Sequence, residues 1–220
     1  MTDGAAVITA IYGGYETVKH VLPQDGLDID WVLVTDGPGY GDTAQGWRVV
    51  FEPRPGTHPN RAAKRPKMLP WEYTLAPVSV WADASYQITS PGFVAGALAC
   101  ADPIAQHPHP SRDCLYDEAT HSAALAKYAG EPLEEQAAHY RQAGHPEHWG
   151  LWAAGVIARR HTPQVRDFGA AWLAEVEAWT FQDQVSQPYA LRSCGLRPCP
   201  FPGTYLDGRW LAHSPGPMHL

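Results

Sequence analysis

Residues 78–85 read VSVWADAS, and this stretch decides the fold of the chain. Its β-branched and apolar residues predict a buried strand that ends at Asp83. In open α/β sheets, ligands bind beyond the carboxyl ends of the strands, so a carboxylate at this point is well placed to meet one. A strand-end Asp also serves as a helix cap or a turn residue, so its role depends on the rest of the chain.

The residues before this stretch predict three more strands and one broken helix. The strands are AAVITAIY at 5–12, DWVLVTD at 30–36 and WRVVFE at 47–52, each bounded by Gly, Pro or Asp. Residues 58–73, HPNRAAKRPKMLPWEY, predict a short helix that is interrupted near Pro66 and Pro70. Strands separated by connections of this length predict an α/β sheet.

The second half of the chain is predominantly helical in its pattern. Ser111 is the predicted N-cap of a helix over 112–130, and a second helix is predicted from Pro132 to Gly144. Thr162 and Pro163 mark the start of a third helix. Its apolar residues recur every three or four positions and predict a buried stripe. The stripe comprises Val165, Phe168, Trp172, Val176 and Trp179. Residues 194–220 are rich in Pro and Gly, with a hairpin signal at 203–210.

The composition describes a chain with one compact core and no broad basic surface. Of its 220 residues, 45% are hydrophobic and 18% are charged, which excludes a disordered chain. The formal net charge of -7 argues against binding to phosphate backbones over a wide area. One local exception is a basic cluster, which either holds a small polyanion such as pyrophosphate or forms a solvated helix face. The cluster comprises Arg61, Lys64, Arg65 and Lys67.

Targeting signals and cysteine spacing bear on the compartment. The start, MTDGAAVITAIYGGYE, lacks a cationic segment followed by a long apolar stretch. No uncharged apolar run reaches the roughly 20 residues that span a membrane, so we expect a cytoplasmic protein without a membrane span. The four cysteines have no paired C-x-x-C spacing and are expected to be reduced thiols, with a link between Cys194 and Cys199 as the alternative.

Seven short motifs occur in the order found in one known family. They are AIYGGYE at 10–16, VTD at 34–36, RAAKRPKMLPWE at 61–72, WADAS at 81–85, HPHPSRDCLYDEA at 107–119, GLWAAGVIARRH at 150–161 and FQDQVS at 181–186. Over about residues 5–190, the chain resembles the bacterial and plant family long catalogued as a domain of unknown function and now grouped with GT-A glycosyltransferases. It is more distantly similar to the glycogenin and lipopolysaccharide galactosyltransferase group, whose D-x-D, N-A-G-V and D-Q motifs fall in the same order.

This resemblance implies a fold and an activity. The fold would be α/β: a single GT-A, Rossmann-like domain with a mixed, mainly parallel central sheet flanked by helices, and a Pro/Gly-rich C-terminal tail. Residues 1–90 would form the nucleotide-binding half, residues 91–193 the half that binds acceptor and sugar, and residues 194–220 the tail. The implied activity is hexosyl transfer from a nucleotide-diphosphate-sugar donor, such as a UDP-sugar, to a hydroxyl group of a glycan, lipid or protein.

The resemblance also implies site residues, position by position. Asp183 and Gln184 would hold the donor sugar and, with Asp83, form the catalytic set. If the reaction retains configuration, the leaving phosphate oxygen takes the acceptor proton; if it inverts, Asp183 is the general base. The donor would be bound by Ile11, Tyr12, Asp36, Arg61, Lys67, Asp83, Ser85 and Gly155.

A divalent ion, Mn²⁺ or Mg²⁺, is the cofactor that the resemblance implies. Asp83 and His213 would bind it, although the alternative for His213 is a solvated tail residue. Ser85 stands where the related group has a second carboxylate, and a hydroxyl is a poorer ligand for a hard ion. Ala153 likewise replaces the Asn of the N-A-G-V pattern. These departures leave the metal requirement and one sugar contact open.

A second set of polar residues would lie beside the acceptor: His107, His109, Arg112, Glu118, Arg160 and His161. Metal binding by the H-x-H pair and plain surface polarity are the alternatives. Three other functions stay open. They are transfer to a hydroxylated base in DNA, nucleotide binding without turnover, and a metal-dependent hydrolase built on His107, His109 and Asp113.

Overall fold

The computed structural model describes residues 4–40, 43–54, 56–204 and 209–215. The strands are β1 Ala5–Ile11, β2 Ile29–Thr35, β3 Thr43–Ala44, β4 Trp47–Phe51, β5 Val78–Ala82, β6 Tyr86–Ile88, β7 Ile104–Gln106, β8 Val156–Arg160, β9 Cys199–Pro200 and β10 Leu211–His213. The α-helices are α1 Pro59–Ala62, α2 Lys64–Met68, α3 Phe93–Cys100, α4 Leu115–Ala123, α5 Leu133–Gln142, α6 Pro163–Ala178 and α7 Asp183–Ser193. Single 3₁₀ turns cover Pro38–Tyr40, Pro70–Glu72 and Ala126–Tyr128.

Eight of the described strands form one mixed, mainly parallel sheet in the order β3-β4-β2-β1-β5-β8-β7-β9. Strands β4, β2, β1 and β5 run parallel to one another, whereas β8 runs antiparallel to both β5 and β7. Helices flank this sheet, as the α/β prediction required. The carboxyl ends of β1, β2, β4 and β5 therefore lie along one edge, where the antiparallel β8 begins.

Strand β1 shows why the sheet is buried on both faces. All seven of its residues are buried. Ala6, Ile8 and Ala10 pack in a core with helices α2, α6 and α7. Val7 and Ile11 pack on the opposite face with Phe93 and neighbouring residues of α3. The run is apolar except for the buried Thr9, as expected for a strand covered on both faces rather than one.

The predicted start of α6 and the predicted end of α5 agree with the structure. Thr162 caps α6 by accepting a hydrogen bond from the backbone N–H of Val165 at 3.3 Å. Gly144 follows α5 and adopts a positive φ of 75°, which suits a helix stop. The helix predicted to end at Gly130 instead ends at Ala123, and a 3₁₀ turn over Ala126–Tyr128 follows it. The buried stripe of α6 forms as predicted, except that Trp179 is its half-buried C-cap.

Two helix predictions need correction. The helix predicted after Ser111 begins at Leu115 with Cys114 as its N-cap, because the backbone N–H groups of Ser111 and Arg112 bond to the ring of His109 instead. The interruption predicted at Pro66 lies at Ala63, between α1 and α2. Pro66 is accommodated in the first turn of α2, where no intrahelical N–H bond is needed.

The C-terminal segment folds back onto the main body. Strand β9 extends the sheet beside β7, and β10 pairs antiparallel with β6 just after Asp83 and Ser85. The backbone N–H of Ser214 donates to the carbonyl of Ser85 at 2.7 Å. Part of the predicted hairpin at 203–210 lies outside the described residues. All four cysteines are free thiols.

Candidate active site

A polar cleft of about 210 Å³ opens at the carboxyl ends of β1 and β5. Ala10 and Trp81 form its floor, and the first residues of α7 form one wall. The structure brings six of the predicted site residues together there: Lys67, Asp83, Ser85, Gly155, Asp183 and Gln184. These residues come from four separate parts of the chain, so the fold assembles a shared cavity from them.

Two lysines and one carboxylate form the electrostatic centre of the cleft. Asp183 Oδ2 accepts from Lys64 Nζ at 2.8 Å and from Lys67 Nζ at 2.7 Å. Lys67 Nζ also lies 3.4 Å from Asp83 Oδ1. The side chains of Lys67 and Asp183 are 4% and 6% exposed, so water screens their interaction weakly. Charge-assisted bonds of this length are among the stronger ones in proteins.

This arrangement fixes the charges of the lysine–carboxylate group. Burial alone would raise the pKa of Asp183, but the adjacent Lys64 and Lys67 ammonium groups hold it well below its usual range. Burial alone would lower the pKa of Lys67, but Asp183 and Asp83 outweigh that effect and raise it. The pKa of Lys64 is lowered, because its burial exceeds the attraction of Asp183 and Lys67 adds repulsion. Asp183 is therefore a carboxylate at neutral pH, and Lys67 is a cation.

Asp83 stands at the end of β5 with one oxygen engaged and one available. Its Oδ1 accepts from the indole Nε1 of Trp81 at 2.6 Å. Its Oδ2 receives no hydrogen bond within the described part of the chain and faces Gly155, where an added Cβ would approach within 3.3 Å. The same Cβ would lie 2.8 Å from the ring of Tyr86. Glycine at position 155 thus lets β8 start close beside the Asp83 carboxylate.

A second, apolar hollow of about 20 Å³ lies on the other face of the sheet and shares Asp83 and Ala84 with the cleft. Aromatic and aliphatic side chains line it, including Ile11, Trp31 and Trp47. The two hollows thus meet around the end of β5. This places Ile11 at the site, but in the apolar hollow and not in the polar cleft.

Three predicted donor-binding residues are engaged elsewhere. Tyr12 donates its hydroxyl to Glu52 at 2.9 Å, and Asp36 accepts from Arg54 Nε at 2.6 Å and from the Gly13 backbone N–H at 2.8 Å. Neither Tyr12 nor Asp36 lines the cleft or the apolar hollow.

The predicted donor-binding role of Arg61 also needs correction. Instead of lining the cleft, its guanidinium donates to the carbonyls of Val176 and Trp179 and to Glu131 Oε2 at 3.0 Å. It therefore ties α1 to the C-terminal end of α6, whose carbonyls lack intrahelical partners.

The predicted acceptor-side residues divide into two groups. Arg112 Nε donates to Glu118 at 2.6 Å, and His109 lies 3.8 Å from the same carboxylate. Glu118 in turn accepts from Gln182 Nε2 at 2.8 Å, and Gln182 lines the cleft. This buried network supports the N-terminal end of α7 from behind. His107 is also buried, with its ring 5.0 Å from that of Phe201.

Arg160 and His161 lie at the opposite end of the sheet from Asp83. In the β5–β8 pair, Val156 aligns with Ala82 and Arg160 with Val78. Arg160 Nε donates to the Ala101 carbonyl at 2.9 Å. These residues are therefore not brought to the cleft, because β8 runs antiparallel to β5 and carries them away.

The candidate ion ligands come together only in part. The pairing of β10 with β6 aligns His213 with Tyr86, next to Ser85, and the two rings lie 5.4 Å apart. Proteins commonly hold Mg²⁺ through one or two carboxylates together with substrate phosphates and water. The free Oδ2 of Asp83 fits that pattern, and the β10–β6 pairing places His213 on the strand beside Tyr86. His107, His109 and Asp113 do not form a ligand trio within the described residues.

Several cleft residues were not singled out by sequence reasoning. They are Tyr15, Glu16, Asn60, Lys127, Tyr128, Phe181 and Gln182. Lys64 belonged to the predicted basic cluster but not to the predicted site. Tyr128 and Phe181 lie with ring centroids 5.3 Å apart and form an aromatic wall. Only the high aromatic content of the chain signalled such a surface, without indicating which residues form it.

The central sheet and its flanking helices form a GT-A-like glycosyltransferase fold. The apo structure of WbbM, a bifunctional glycosyltransferase, shares the fold with a TM-score of 0.53 and 12% sequence identity over 91% of this chain. The chain covers 39% of the WbbM chain, so the likeness concerns the fold of one part of that protein.

The sequence also places the chain in a family. Residues 41–198 match the family model of the TOD1/MUCI70 glycosyltransferase-like domain. That match covers more than half of the 220 residues, and the chain therefore belongs to the TOD1/MUCI70 family. None of the curated proteins matches it. Among the described residues, no helix has the length and apolar character needed to cross a membrane.

Proposed function

We propose that this glycosyltransferase transfers a hexosyl group from a nucleotide-diphosphate-sugar donor, with UDP as the nucleotide, to a hydroxyl acceptor. The observation that carries the proposal is that an apolar hollow and a polar cleft containing Lys64 and Lys67 meet at Asp83 and Ala84. A donor of this class has an aromatic base, a diphosphate and a sugar in that order. Its three parts match the apolar hollow, the Asp83 junction and the polar cleft.

The base would enter the hollow beside Trp31 and Trp47. Indole rings offer flat apolar surfaces suited to a pyrimidine face. The hollow of about 20 Å³ is smaller than a base, so its wall must open on binding. Gln87, whose side chain donates to the His20 carbonyl at 3.1 Å, lies in that wall and is partly exposed.

Lys67 and Lys64 would stabilise the leaving diphosphate. As the bond from the anomeric carbon to the diphosphate oxygen breaks, negative charge grows on that oxygen, and fixed cations nearby lower the barrier. Lys67 is held by Asp183 on one side and by the longer 3.4 Å contact with Asp83 on the other. The diphosphate would replace the weaker contact and leave the Asp183 bond in place.

Asp183 and Gln184 would hold the donor sugar. Gln184 Nε2 donates to the Trp152 carbonyl at 3.1 Å, which fixes the amide and leaves its oxygen to accept from a sugar hydroxyl. A general base works best with a pKa near the operating pH, whereas the two lysines hold the pKa of Asp183 far below it. Asp183 therefore suits fixed orientation of the sugar and lysines better than proton abstraction.

Asp83 and His213 would hold a Mn²⁺ or Mg²⁺ ion that arrives with the donor. Such an ion supplies positive charge to the diphosphate when it is bound. Asp83 would bind the ion through Oδ2, because its Oδ1 already accepts from Trp81. The nearby Lys67 cation disfavours an ion without its anionic donor, so ion and donor should bind together.

The decisive experiment is a thermal-shift panel of nucleoside diphosphates and nucleotide sugars, with and without Mn²⁺, followed by donor hydrolysis assays on the hits. A ligand that binds only the folded state raises its stability. We expect one nucleoside diphosphate to raise the melting temperature more with Mn²⁺ than without it, and its sugar conjugate to be hydrolysed slowly. Binding without turnover would instead indicate a nucleotide-binding module. No shift with any donor would refute the proposal.

A further inference from the structure

A second polar group, outside the cleft, lies where helix α4 begins. Its members are Cys114, Asp117 and His148, each of which offers one potential ligand atom, and these three atoms all lie within 4.8 Å of one another. It is the one such trio of Cys, His, Asp or Glu in the described ranges 4–40, 43–54, 56–204 and 209–215. None of the three lines the cleft or the apolar hollow.

The fold holds these ligands in place from two sides. Cys114 is the N-cap of α4, and Asp117 is in its first turn, so the spacing of three residues puts both on one face of the helix start. His148 comes from the loop after α5, which is attached to α4 by the hydrogen bond from the Gly150 N–H to the Asp113 carbonyl at 3.0 Å. The backbone of His148 adopts a left-handed φ of 53°, a conformation that few non-glycine residues hold without support.

Asp113 completes the arrangement by orienting the imidazole. Its Oδ1 lies 2.7 Å from His148 Nδ1. Metal-binding histidines commonly donate one ring N–H to a carboxylate, which fixes the tautomer and leaves the other nitrogen for the ion. With Nδ1 bonded to Asp113, Nε2 of His148 is the nitrogen available for coordination.

We propose that Cys114, Asp117 and His148 bind a zinc ion. A thiolate, an imidazole and a carboxylate select a borderline ion such as Zn²⁺ over Mg²⁺ or Ca²⁺, which prefer oxygen ligands. Tetrahedral zinc needs ligand atoms roughly 3.3–3.7 Å apart, as follows from its bond lengths of about 2.0–2.3 Å. Asp117 is exposed, so its side chain can adjust to an ion while Asp113 keeps the His148 imidazole in place.

Zinc binding would deprotonate Cys114 and link two segments of the chain. Cys114 releases its thiol proton to solvent, the sulfur binds the ion, and a water molecule takes the fourth position. The bound ion ties the start of α4 to the 145–150 loop. Because Glu118 on the same helix bonds Gln182 in the cleft wall, the ion stabilises the support of that wall without touching the donor.

The test uses the full chain without a histidine tag, freed of metal by a chelator that is then removed. One equivalent of Zn²⁺ should bind, and saturating Zn²⁺ should raise the melting temperature by about 5–10 °C. His148→Ala and Asp117→Asn change exposed side chains, so they should fold normally but lose most of this shift. His121→Ala, an exposed position on the same helix, should keep it.

Cobalt supplies a readout that is specific for the thiolate. Co²⁺ in the wild-type chain should show a sulfur-to-metal charge-transfer absorption band, which Cys114→Ser should lose and Cys199→Ser should keep. If Cys114→Ser fails to fold, His148→Ala still decides the matter by its loss of the band. Failure of the wild type to bind Zn²⁺, or equal binding by His148→Ala, would overturn the proposal. Neither result bears on donor binding at Asp83.

Discussion

Lys67 Nζ lies 2.7 Å from Asp183 Oδ2, although the two residues are 116 positions apart and both are buried. The contact joins α2 to the start of α7 at the centre of the cleft. An ammonium group buried this deeply is retained only with a partner, since removing one member of a buried pair leaves an uncompensated charge. The pair therefore serves the structure of the cleft and presents a fixed cation to an incoming anion.

Lys67→Met should weaken binding of the nucleoside diphosphate while leaving binding of the free nucleoside unchanged. A hydrogen bond to a charged group contributes about 1.5–3 kcal/mol, which corresponds to a loss of about 10–100-fold in affinity. Asp183 keeps Lys64 as a partner in this variant, so the chain should fold. Calorimetric titration with both ligands measures the difference. Arg65→Met, an exposed change on the same helix, is the control, and equal loss for both ligands would contradict the phosphate role.

Asp83→Asn should abolish most donor turnover without destabilising the fold. The amide oxygen still accepts from Trp81, but the charge that faces the proposed ion is gone. We expect kcat/KM to fall by about 100-fold or more, as happens when one group that stabilises the transition state is removed. The melting temperature should change little, because the side chain is 40% exposed. Asp167→Asn on the exposed face of α6 is the matched control, and an unchanged rate in Asp83→Asn would defeat the site assignment.

His213→Ala should raise the Mn²⁺ concentration needed for half-maximal turnover by about 10-fold, the effect of losing roughly 1.4 kcal/mol of ion binding. Turnover at saturating Mn²⁺ should recover, since Asp83 and the donor diphosphate still bind the ion. The measurement is an ion titration of the donor hydrolysis rate. His121→Ala should follow the wild-type curve. A His213→Ala curve that overlays the wild type would remove His213 from the ion site.

Arg159 is a buried cation whose replacement should stabilise the protein. It is 1% exposed, and none of its guanidinium nitrogens has a hydrogen-bond partner within the described part of the chain. Burial lowers the pKa of Arg159 to about 9. A buried charge without a partner is costly, so Arg159→Met should raise the free energy of unfolding by about 1–3 kcal/mol near pH 8.

The lowered pKa of Arg159 also determines how the stability gained by Arg159→Met depends on pH. The unfolded chain binds the Arg159 proton more tightly than the folded one, so the penalty is complete below about pH 9 and shrinks as the pH rises further. The stability difference between Arg159→Met and wild type should therefore narrow between about pH 8 and about pH 10.5 in urea unfolding. A constant difference would show that the guanidinium stays protonated and is solvated by water.

The sequence predicted the elements whose signals are local. Strands β1, β2, β4 and β5 are apolar runs bounded by turn residues, and each formed close to its predicted place. Thr162 and Pro163 marked the start of α6 because capping and the fixed φ of proline act within one turn. Strands β7, β9 and β10 have two or three residues each, too few for any periodicity, and were not predicted.

Local residue patterns sufficed for an α/β sheet and for a carboxylate at the end of β5, and the glycosyltransferase fold was implied by the family resemblance of the ordered motifs. Folding decided which of the basic residues face the cleft: Lys64 and Lys67 meet Asp183 there, while Arg61 points to the end of α6. The physical reason is the distance along the chain over which each kind of interaction acts. Capping and periodicity act over a few residues, whereas a side chain's partner across more than a hundred residues depends on how whole helices pack.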